Sequence, residues 1–205
     1  MKALIIVDIQ NDFLPGGALA VQEGDQIIPI VNRLVPQFPL VVATQDWHPA
    51  NHGSFASNHP GKNPGEFIEL HGLQQVLWPD HCVQNSKGAE FSPDLHSEKI
   101  RKIFKKGTDP KIDSYSGFYD NGKMKDTGLN AYLISQGVKQ VYVVGLATDY
   151  CVKFTAIDAA ESGFETTVIA DATRAVNLHK DDGDRAFKEI TQKGVRVIDA
   201  SSILG

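Results

Sequence analysis

The sequence predicts an α/β fold in three layers, with helices on both faces of a parallel sheet. Short apolar, β-branched runs alternate along the chain with longer segments that have apolar residues at spacings of three and four. The apolar runs do not alternate with polar residues, which is typical of strands that are buried on both faces. Strands that alternate with helices in this way favour a parallel sheet that helices cover on both sides.

Six strands and four helices are predicted in order. The strands are residues 3–7, 39–44, 100–105, 141–145, 166–170 and 195–198, of which the third is the weakest. The helices are residues 26–35, 125–136, 150–162 and 182–193. Gly137 and Gly163 follow two of these helices, where a helix end favours a residue that tolerates a positive φ.

A long stretch at about residues 46–97 interrupts this alternation, and it contains six of the seven histidines. A loop region of this length in a compact domain is typically functional or disordered. Its aromatic side chains argue against disorder, which is normally poor in aromatics. Because the sequence has no repeat, low-complexity segment or linker, we expect residues 1–205 to form a single domain with one long functional loop region.

Composition excludes several classes of protein. The chain has 205 residues, and its net charge of −5 disfavours a nucleic-acid-binding protein. Its apolar runs are far shorter than the ~20 residues that a membrane span needs, so no membrane partner is expected. A strand-like run follows Met1-Lys2 without a cleavage site, which disfavours a signal peptide. Two cysteines form no disulfide framework, and we therefore expect a cytoplasmic protein.

Three reactive side chains lie at predicted strand ends. Asp8 follows the first strand, Lys106 the weak third strand, and Cys151 comes shortly after the fourth, at a helix start. Ligands of open parallel sheets bind outside these carboxyl ends. The helix dipole would lower the pKa of the Cys151 thiol, Asp8 could accept its proton, and Lys106 could keep Asp8 ionised. Taken separately, the three are more often a buried apolar side chain, a turn residue and a solvated lysine; together they predict nucleophilic catalysis.

A metal site is predicted in the long loop region. Asp46 and His48 are two apart in an extended segment and so point to the same side, and His81 is the best third ligand. One carboxylate and two imidazoles suit zinc, iron(II) or manganese(II). His52 is a weaker fourth candidate. A zinc hydrolase in which Cys151 is itself a ligand remains an alternative at this point.

Several motifs together resemble those of the nicotinamidases, in the isochorismatase-like cysteine hydrolase family. The motifs are Ile6-Val7-Asp8-Ile9-Gln10-Asn11-Asp12-Phe13, Asp46-Trp47-His48-Pro49, Trp78-Pro79-Asp80-His81-Cys82-Val83, Phe104-Lys105-Lys106-Gly107, Tyr115-Ser116-Gly117-Phe118 and Gly145-Leu146-Ala147-Thr148-Asp149-Tyr150-Cys151-Val152. They occur in order over nearly the whole chain. The resemblance implies a six-stranded parallel sheet and hydrolysis of nicotinamide to nicotinate and ammonia, with pyrazinamide as a further substrate.

The resemblance also implies roles for individual residues. The catalytic triad would be Asp8, Lys106 and Cys151, with Lys106 preferred to Lys105 because the family lysine directly precedes a glycine. The backbone N–H groups of Ala147 and Cys151 would form the oxyanion hole, after a cis Leu146–Ala147 bond. The implied metal ligands are Asp46, His48 and His81, without His52. The bound ion, zinc first and iron or manganese as alternatives, would contact the pyridine nitrogen. Phe13, Trp78 and Tyr115 could wall the ring by stacking, and plain core packing is the alternative explanation for all three.

Two alternative functions remain open from the sequence. One is a metal-free cysteine amidase that acts on N-carbamoyl compounds, and the other is a non-catalytic, metal-stabilised protein that binds nicotinamide-like ligands. Isochorismatase activity is disfavoured, because that branch has no cysteine at the nucleophile position. The sequence also leaves open whether the chain forms a homo-oligomer.

Overall fold

Six parallel strands form the central sheet of the computed structural model, which describes all 205 residues. The chain has eight strands in all: β1 (Lys2–Val7), β2 (Leu40–Asp46), β3 (Phe67–Leu70), β4 (Leu73–Val76), β5 (Lys102–Lys106), β6 (Gln140–Leu146), β7 (Glu165–Arg174) and β8 (Arg196–Ile198). The sheet order is β5-β2-β1-β6-β7-β8 with every pair parallel, while β3 and β4 form a separate antiparallel hairpin. The predicted six-stranded parallel sheet is confirmed.

Five helices cover the two faces of the sheet. They are α1 (Ile27–Leu34), α2 (Leu129–Ser135), α3 (Lys153–Glu161), α4 (Asp182–Gln192) and α5 (Ser201–Leu204). Helices α1 and α5 pack on one face, where 22 buried residues form an apolar cluster, and α2, α3 and α4 pack on the other, where 20 do. Both faces of the sheet are therefore buried under apolar side chains, which explains why the strands are continuously apolar in sequence.

The strand order reverses between β1 and β6. From β1 the chain moves outward through β2 to β5, and from β6 it moves the other way through β7 to β8. Val7 pairs with Gly145 at the carboxyl end of this pair. Gly145 has a φ of 119°, and a side chain there would overlap the Val7 backbone, so only glycine fits. Sheets of this kind bind their ligands at such a reversal.

Some predicted boundaries are wrong. The helix predicted from residue 125 begins at Leu129, because Gly128 has a left-handed φ of 85° and Asp126 is instead bridged to Tyr119. The helix predicted from residue 150 is preceded by a π-helical turn, Thr148–Val152. Gly137 and Gly163 do follow helix ends with φ of 68° and 90°, as predicted.

The stretch of residues 46–97 is ordered. Isolated bridges join His48 to Val83 and Phe55 to Trp78, and the side chains of Phe55 and Trp78 are buried. The hairpin β3–β4, which the sequence analysis missed, projects from this region, and its Phe67 is 55% exposed. None of the helices is both long and apolar enough to cross a bilayer.

Candidate active site

Asp8, Lys106 and Cys151 meet at the strand-order reversal. Asp8 follows β1, Lys106 ends β5, and Cys151 lies in the turn after β6. The Lys106 Nζ atom lies 2.8 Å from Asp8 Oδ2 and 3.3 Å from Cys151 Sγ, and it donates to the Ser114 carbonyl at 3.0 Å. All three side chains are buried. The structure therefore brings together the acid, the lysine and the thiol that the sequence singled out.

The Asp8 carboxylate is suited to accept a proton near neutral pH. Its Oδ1 accepts a hydrogen bond of 2.6 Å from the Thr44 hydroxyl. Burial raises the pKa of Asp8 to about 6, although the nearby Lys106 charge opposes this. An Asp8 oxygen and Cys151 Sγ lie within 4.8 Å of each other. A small movement would therefore allow direct proton transfer between them.

The pKa of the Cys151 thiol differs from the expectation. Burial raises this pKa well above its ordinary value, and the carboxylates of Asp8 and Asp46 add to the effect, while Lys106 only partly opposes it. The predicted lowering by a helix dipole is wrong, because burial and the two carboxylates outweigh any favourable charge. Cys151 is therefore a thiol at rest and needs a base to become a nucleophile.

Asp46 connects the triad to a second cluster. Its Oδ1 lies 2.5 Å from Lys106 Nζ, while its Oδ2 lies 3.7 Å from His48 Nε2 and 3.9 Å from His81 Nε2. Burial alone would raise the pKa of Asp46, but the Lys106 charge and the His48 ring outweigh it and hold this pKa well below its usual range. Asp46 is thus a permanent carboxylate that both clusters share.

The cluster of Asp46, His48 and His81 fits a divalent metal ion. The Nδ1 atom of His48 lies 2.9 Å from the Gly107 carbonyl, and the Nδ1 atom of His81 lies 2.7 Å from the Pro79 carbonyl. A carbonyl can only accept, so each Nδ1 bears the proton and each Nε2 keeps a lone pair. The free Nε2 atoms and the Asp46 carboxylate face one another, which is how histidine ligands are oriented in metal centres.

Two residues without a predicted role hold this cluster in place. Gly107 has a φ of 63°, and a Cβ there would overlap the His48 ring. The Gln10 side chain donates to the Asp46 carbonyl at 2.8 Å and accepts from the Asp46 N–H at 2.8 Å. The only sequence feature that could have indicated a role for Gly107 and Gln10 is that both lie in the motifs at the strand ends.

One pocket is lined by Cys151 and by all three residues of the metal-binding cluster. The predicted wall residues Phe13, Trp78 and Tyr115 line it, and the Trp78 N–H donates to the Tyr115 hydroxyl at 3.2 Å. Four further lining residues were not predicted: Leu19, Asp113, Tyr150 and Val176. Tyr150 directly precedes Cys151 in the motif after the fourth strand, which was the one available signal, whereas nothing in the local sequence distinguishes the other three.

The turn that contains Cys151 is fixed by its backbone. The Leu146–Ala147 bond is cis, as the resemblance implied. The Ala147 carbonyl accepts hydrogen bonds from the N–H groups of Tyr150 and Val152, and Ala147 and Cys151 both line the pocket. The buried Asp149 carboxylate accepts from the Val176 and Asn177 N–H groups, and so ties the turn to a pocket wall.

Three other candidates lie outside the two clusters. Lys105 Nζ lies 3.6 Å from the centre of the Trp47 ring, whereas Lys106 contacts Asp8 and Cys151. Cys82 is buried in the apolar cluster beside α1. His52 is buried with its ring centre 4.4 Å from that of His48, but it is not among the three residues that face one another around Asp46.

Comparison with known proteins identifies the family of this chain. A model of the isochorismatase domain matches residues 2–202, which is nearly the whole chain. The chain belongs to the isochorismatase family. Its relatives in this family include a nicotinamidase of Escherichia coli strain K12, 50% identical over 197 residues that cover 94% of this chain and 92% of that protein.

Two solved structures of the isochorismatase family have the same fold. A nicotinamidase and pyrazinamidase of Acinetobacter baumannii matches with a TM-score of 0.96 at 49% identity, covering 99% of this chain and 98% of the other. The pyrazinamidase of Pyrococcus horikoshii, described in complex with zinc, matches with a TM-score of 0.78 at 41% identity, covering 97% and 98%.

Proposed function

We propose that this isochorismatase-family protein hydrolyses nicotinamide to nicotinate and ammonia through a thioester on Cys151, and that it also accepts pyrazinamide. The observation that best supports this is one pocket lined both by the three residues of the metal-binding cluster and by Cys151, whose thiol contacts the buried Asp8–Lys106 pair through Lys106. The names of relatives that are about half identical over almost the full length support the substrate.

Asp8 is proposed as the base that activates Cys151. With a pKa of about 6, it is ionised at neutral pH and yet is basic enough to take a proton in the reaction. The thiolate that forms lies 3.3 Å from the Lys106 ammonium, which stabilises its charge. Lys106 thus compensates for the burial that disfavours the thiolate.

The thiolate then attacks the carboxamide carbon. The carbonyl oxygen becomes an oxyanion, which the Ala147 and Cys151 backbone N–H groups are proposed to hold. The C–N bond breaks as Asp8 returns its proton to the nitrogen, and ammonia leaves from the thioester. Water then attacks the thioester carbon and Asp8 accepts a proton of this water. Cleavage of the C–S bond releases nicotinic acid, which ionises to nicotinate, and the Cys151 thiolate, which takes the proton back from Asp8.

Asp46, His48 and His81 are proposed to hold one divalent ion, zinc first and iron or manganese as alternatives. Such an ion supplies a Lewis-acid contact for a ring nitrogen. Phe13 and Trp78 provide the apolar walls between which a flat ring can pack, and Tyr115 fixes the Trp78 indole through its hydroxyl. These residues orient the ring so that its carboxamide reaches Cys151.

An ammonia-release assay tests the proposal. Protein as purified and protein treated with a chelator are each incubated with nicotinamide, pyrazinamide and an N-carbamoyl amine. We expect rapid release from the first two substrates, a large loss after chelation and recovery on addition of zinc. Release from the N-carbamoyl amine alone would favour the metal-free amidase. No release from any substrate, with nicotinamide still bound, would favour a binding protein.

A further inference from the structure

His52 is a buried histidine beside the metal cluster that the mechanism does not use. Its side chain has no exposed surface, and its Nε2 atom has no hydrogen-bond partner. We infer that His52 is a positioning residue of the metal centre, a ring with its proton on Nε2 that packs against the His48 ring, and not a further ligand. This inference rests on the proposed function only for the statement that a metal binds at Asp46, His48 and His81.

The hydrogen bonds of His52 assign its tautomer. The Ser54 backbone N–H donates to His52 Nδ1 at 3.2 Å, and the Ser54 hydroxyl lies 2.7 Å from the same nitrogen. A backbone N–H can only donate, so Nδ1 must be the acceptor and has no proton. A neutral ring must then bear its proton on Nε2. This is the reverse of His48 and His81, whose Nδ1 atoms face carbonyl groups.

A proton on Nε2 excludes His52 as a ligand through that atom, because a metal requires the lone pair. The other nitrogen is already occupied by Ser54. One nitrogen each of His48 and His52 and one carboxylate oxygen of Asp113 lie within 4.8 Å of one another. Asp113 is itself buried and fixed by hydrogen bonds from Gln75 and from the Ser114 N–H. His52 thus lies beside a metal ligand and beside a carboxylate that lines the pocket.

The packing around His48 explains what His52 does there. The His52 ring centre lies 4.4 Å from that of His48, and Phe55 lies against both rings at 5.4 Å and 5.6 Å. The Gly107 carbonyl holds His48 at one atom only, so neighbouring rings must fix its tilt. Groups of this kind around a ligand typically change metal affinity by 10–100-fold when they are removed.

Nitrogen NMR tests the tautomer directly, without substrate. Long-range proton–nitrogen correlation spectra of the ¹⁵N-labelled protein are recorded metal-free and with one equivalent of zinc, and the His52 signals are assigned by their loss in His52→Gln. We expect His52 to have its proton on Nε2 in both states. A proton on Nδ1, together with a zinc-induced shift of Nε2, would overturn the inference.

Zinc affinity tests the positioning role. Glutamine places an amide N–H near the position of His Nε2, so His52→Gln should bind zinc within about threefold of the parent, while His52→Ala should bind about 10–100-fold more weakly. His81→Ala is the control for true ligand loss and should be weaker still. Equal losses in His52→Gln and His81→Ala, or no loss in His52→Ala, would each contradict the inference. If His52→Ala does not fold, His52→Gln and the NMR experiment still decide. Neither the NMR spectra nor the zinc titration uses a substrate. They therefore test the role of His52 independently of the nicotinamide assay, which tests the proposed function.

Discussion

Asp8 and Lys106 form an ion pair of 2.8 Å in which neither side chain has any exposed surface. Two opposing effects meet in this pair. Burial raises the pKa of Asp8, and the Lys106 charge lowers it, with a net value of about 6. Lys106 therefore limits the rise of the Asp8 pKa and keeps it near neutral pH. The same lysine also contacts the Cys151 sulfur. The first two predictions follow from this balance.

Activity should decrease as the pH falls through about 6. Below this pH, Asp8 becomes protonated and can no longer accept the thiol proton, so kcat/KM should fall about tenfold per pH unit. Asp8→Asn retains the shape of the side chain but cannot act as a base, and it should fold and lose nearly all turnover. The measurement is the pH profile of ammonia release, with circular dichroism as the folding control. Near-normal turnover of Asp8→Asn at pH 7 would contradict the assignment.

Lys106→Gln should shift the acid limb of this profile to higher pH and lower the maximal rate. Without the lysine charge, the effect of burial on the Asp8 pKa is unopposed and the thiolate loses its cation. Lys105→Gln is a matched control, since the neighbouring lysine lies over the Trp47 ring. We expect the control to keep the parent profile. Identical profiles for the two variants would rule out a role for the Lys106 charge.

Cys151→Ala should lower kcat by several orders of magnitude, because removal of a covalent nucleophile eliminates the thioester route. Cys82→Ala is the control, as this cysteine is buried in the apolar cluster beside α1. The control should keep most of its activity and lose some stability from the smaller side chain. Steady-state rates and thermal melts measure both effects, and similar rates for the two variants would show that the nucleophile is assigned wrongly.

His48→Ala should lose the metal and most of the activity, yet its Cys151 should still react with iodoacetamide. Loss of the metal would misplace the ring, and a small misplacement can lower the rate ~100-fold while leaving the thiol intact. His59→Ala is a control from the same loop region, because the His59 ring hydrogen-bonds to the Gly53 carbonyl and is not part of the metal-binding cluster. Benzamide, which has no ring nitrogen, should be a much poorer substrate for the parent protein. Equal hydrolysis of benzamide and nicotinamide would exclude a ring–metal contact.

Gly107→Ala should weaken metal binding although residue 107 bears no ligand atom. A Cβ at this position would overlap the His48 ring, and the φ of 63° disfavours any other residue. Gly61→Ala is the control, since its φ is 78° but nothing lies within 4 Å of the added Cβ. Both variants should lose about 1–2 kcal/mol from the left-handed backbone. Only Gly107→Ala should also lose zinc affinity, measured by titration.

Much of the fold follows from patterns that are local in the sequence. Continuous apolar runs locate the six sheet strands because both faces of the sheet are covered. Asp8 and Lys106 could be singled out because parallel strands end at one edge. The β3–β4 hairpin was missed because its strands are short and lie half exposed on the surface, so no apolar run marks them.

Other features depend on contacts between distant segments. Asp113 and Val176 line the pocket only because the chain folds back, and neither has a distinctive sequence context. The pKa of Cys151 is raised and not lowered, because the surrounding segments bury the thiol and bring the carboxylates of Asp8 and Asp46 close to it. Gly128 shortened a predicted helix because its left-handed φ depends on the turn in which it lies.

The two oxygens of Asp46 face different partners, Lys106 on one side and the two histidines on the other. This division constrains the order in which such a site can change during evolution. A lineage could lose the metal through His48 or His81 and still retain a counter-ion for its lysine. Replacement of Asp46 as the first step would remove a metal ligand and a buried counter-charge together. Descendants that have abandoned the metal should therefore still have an acidic residue at this position.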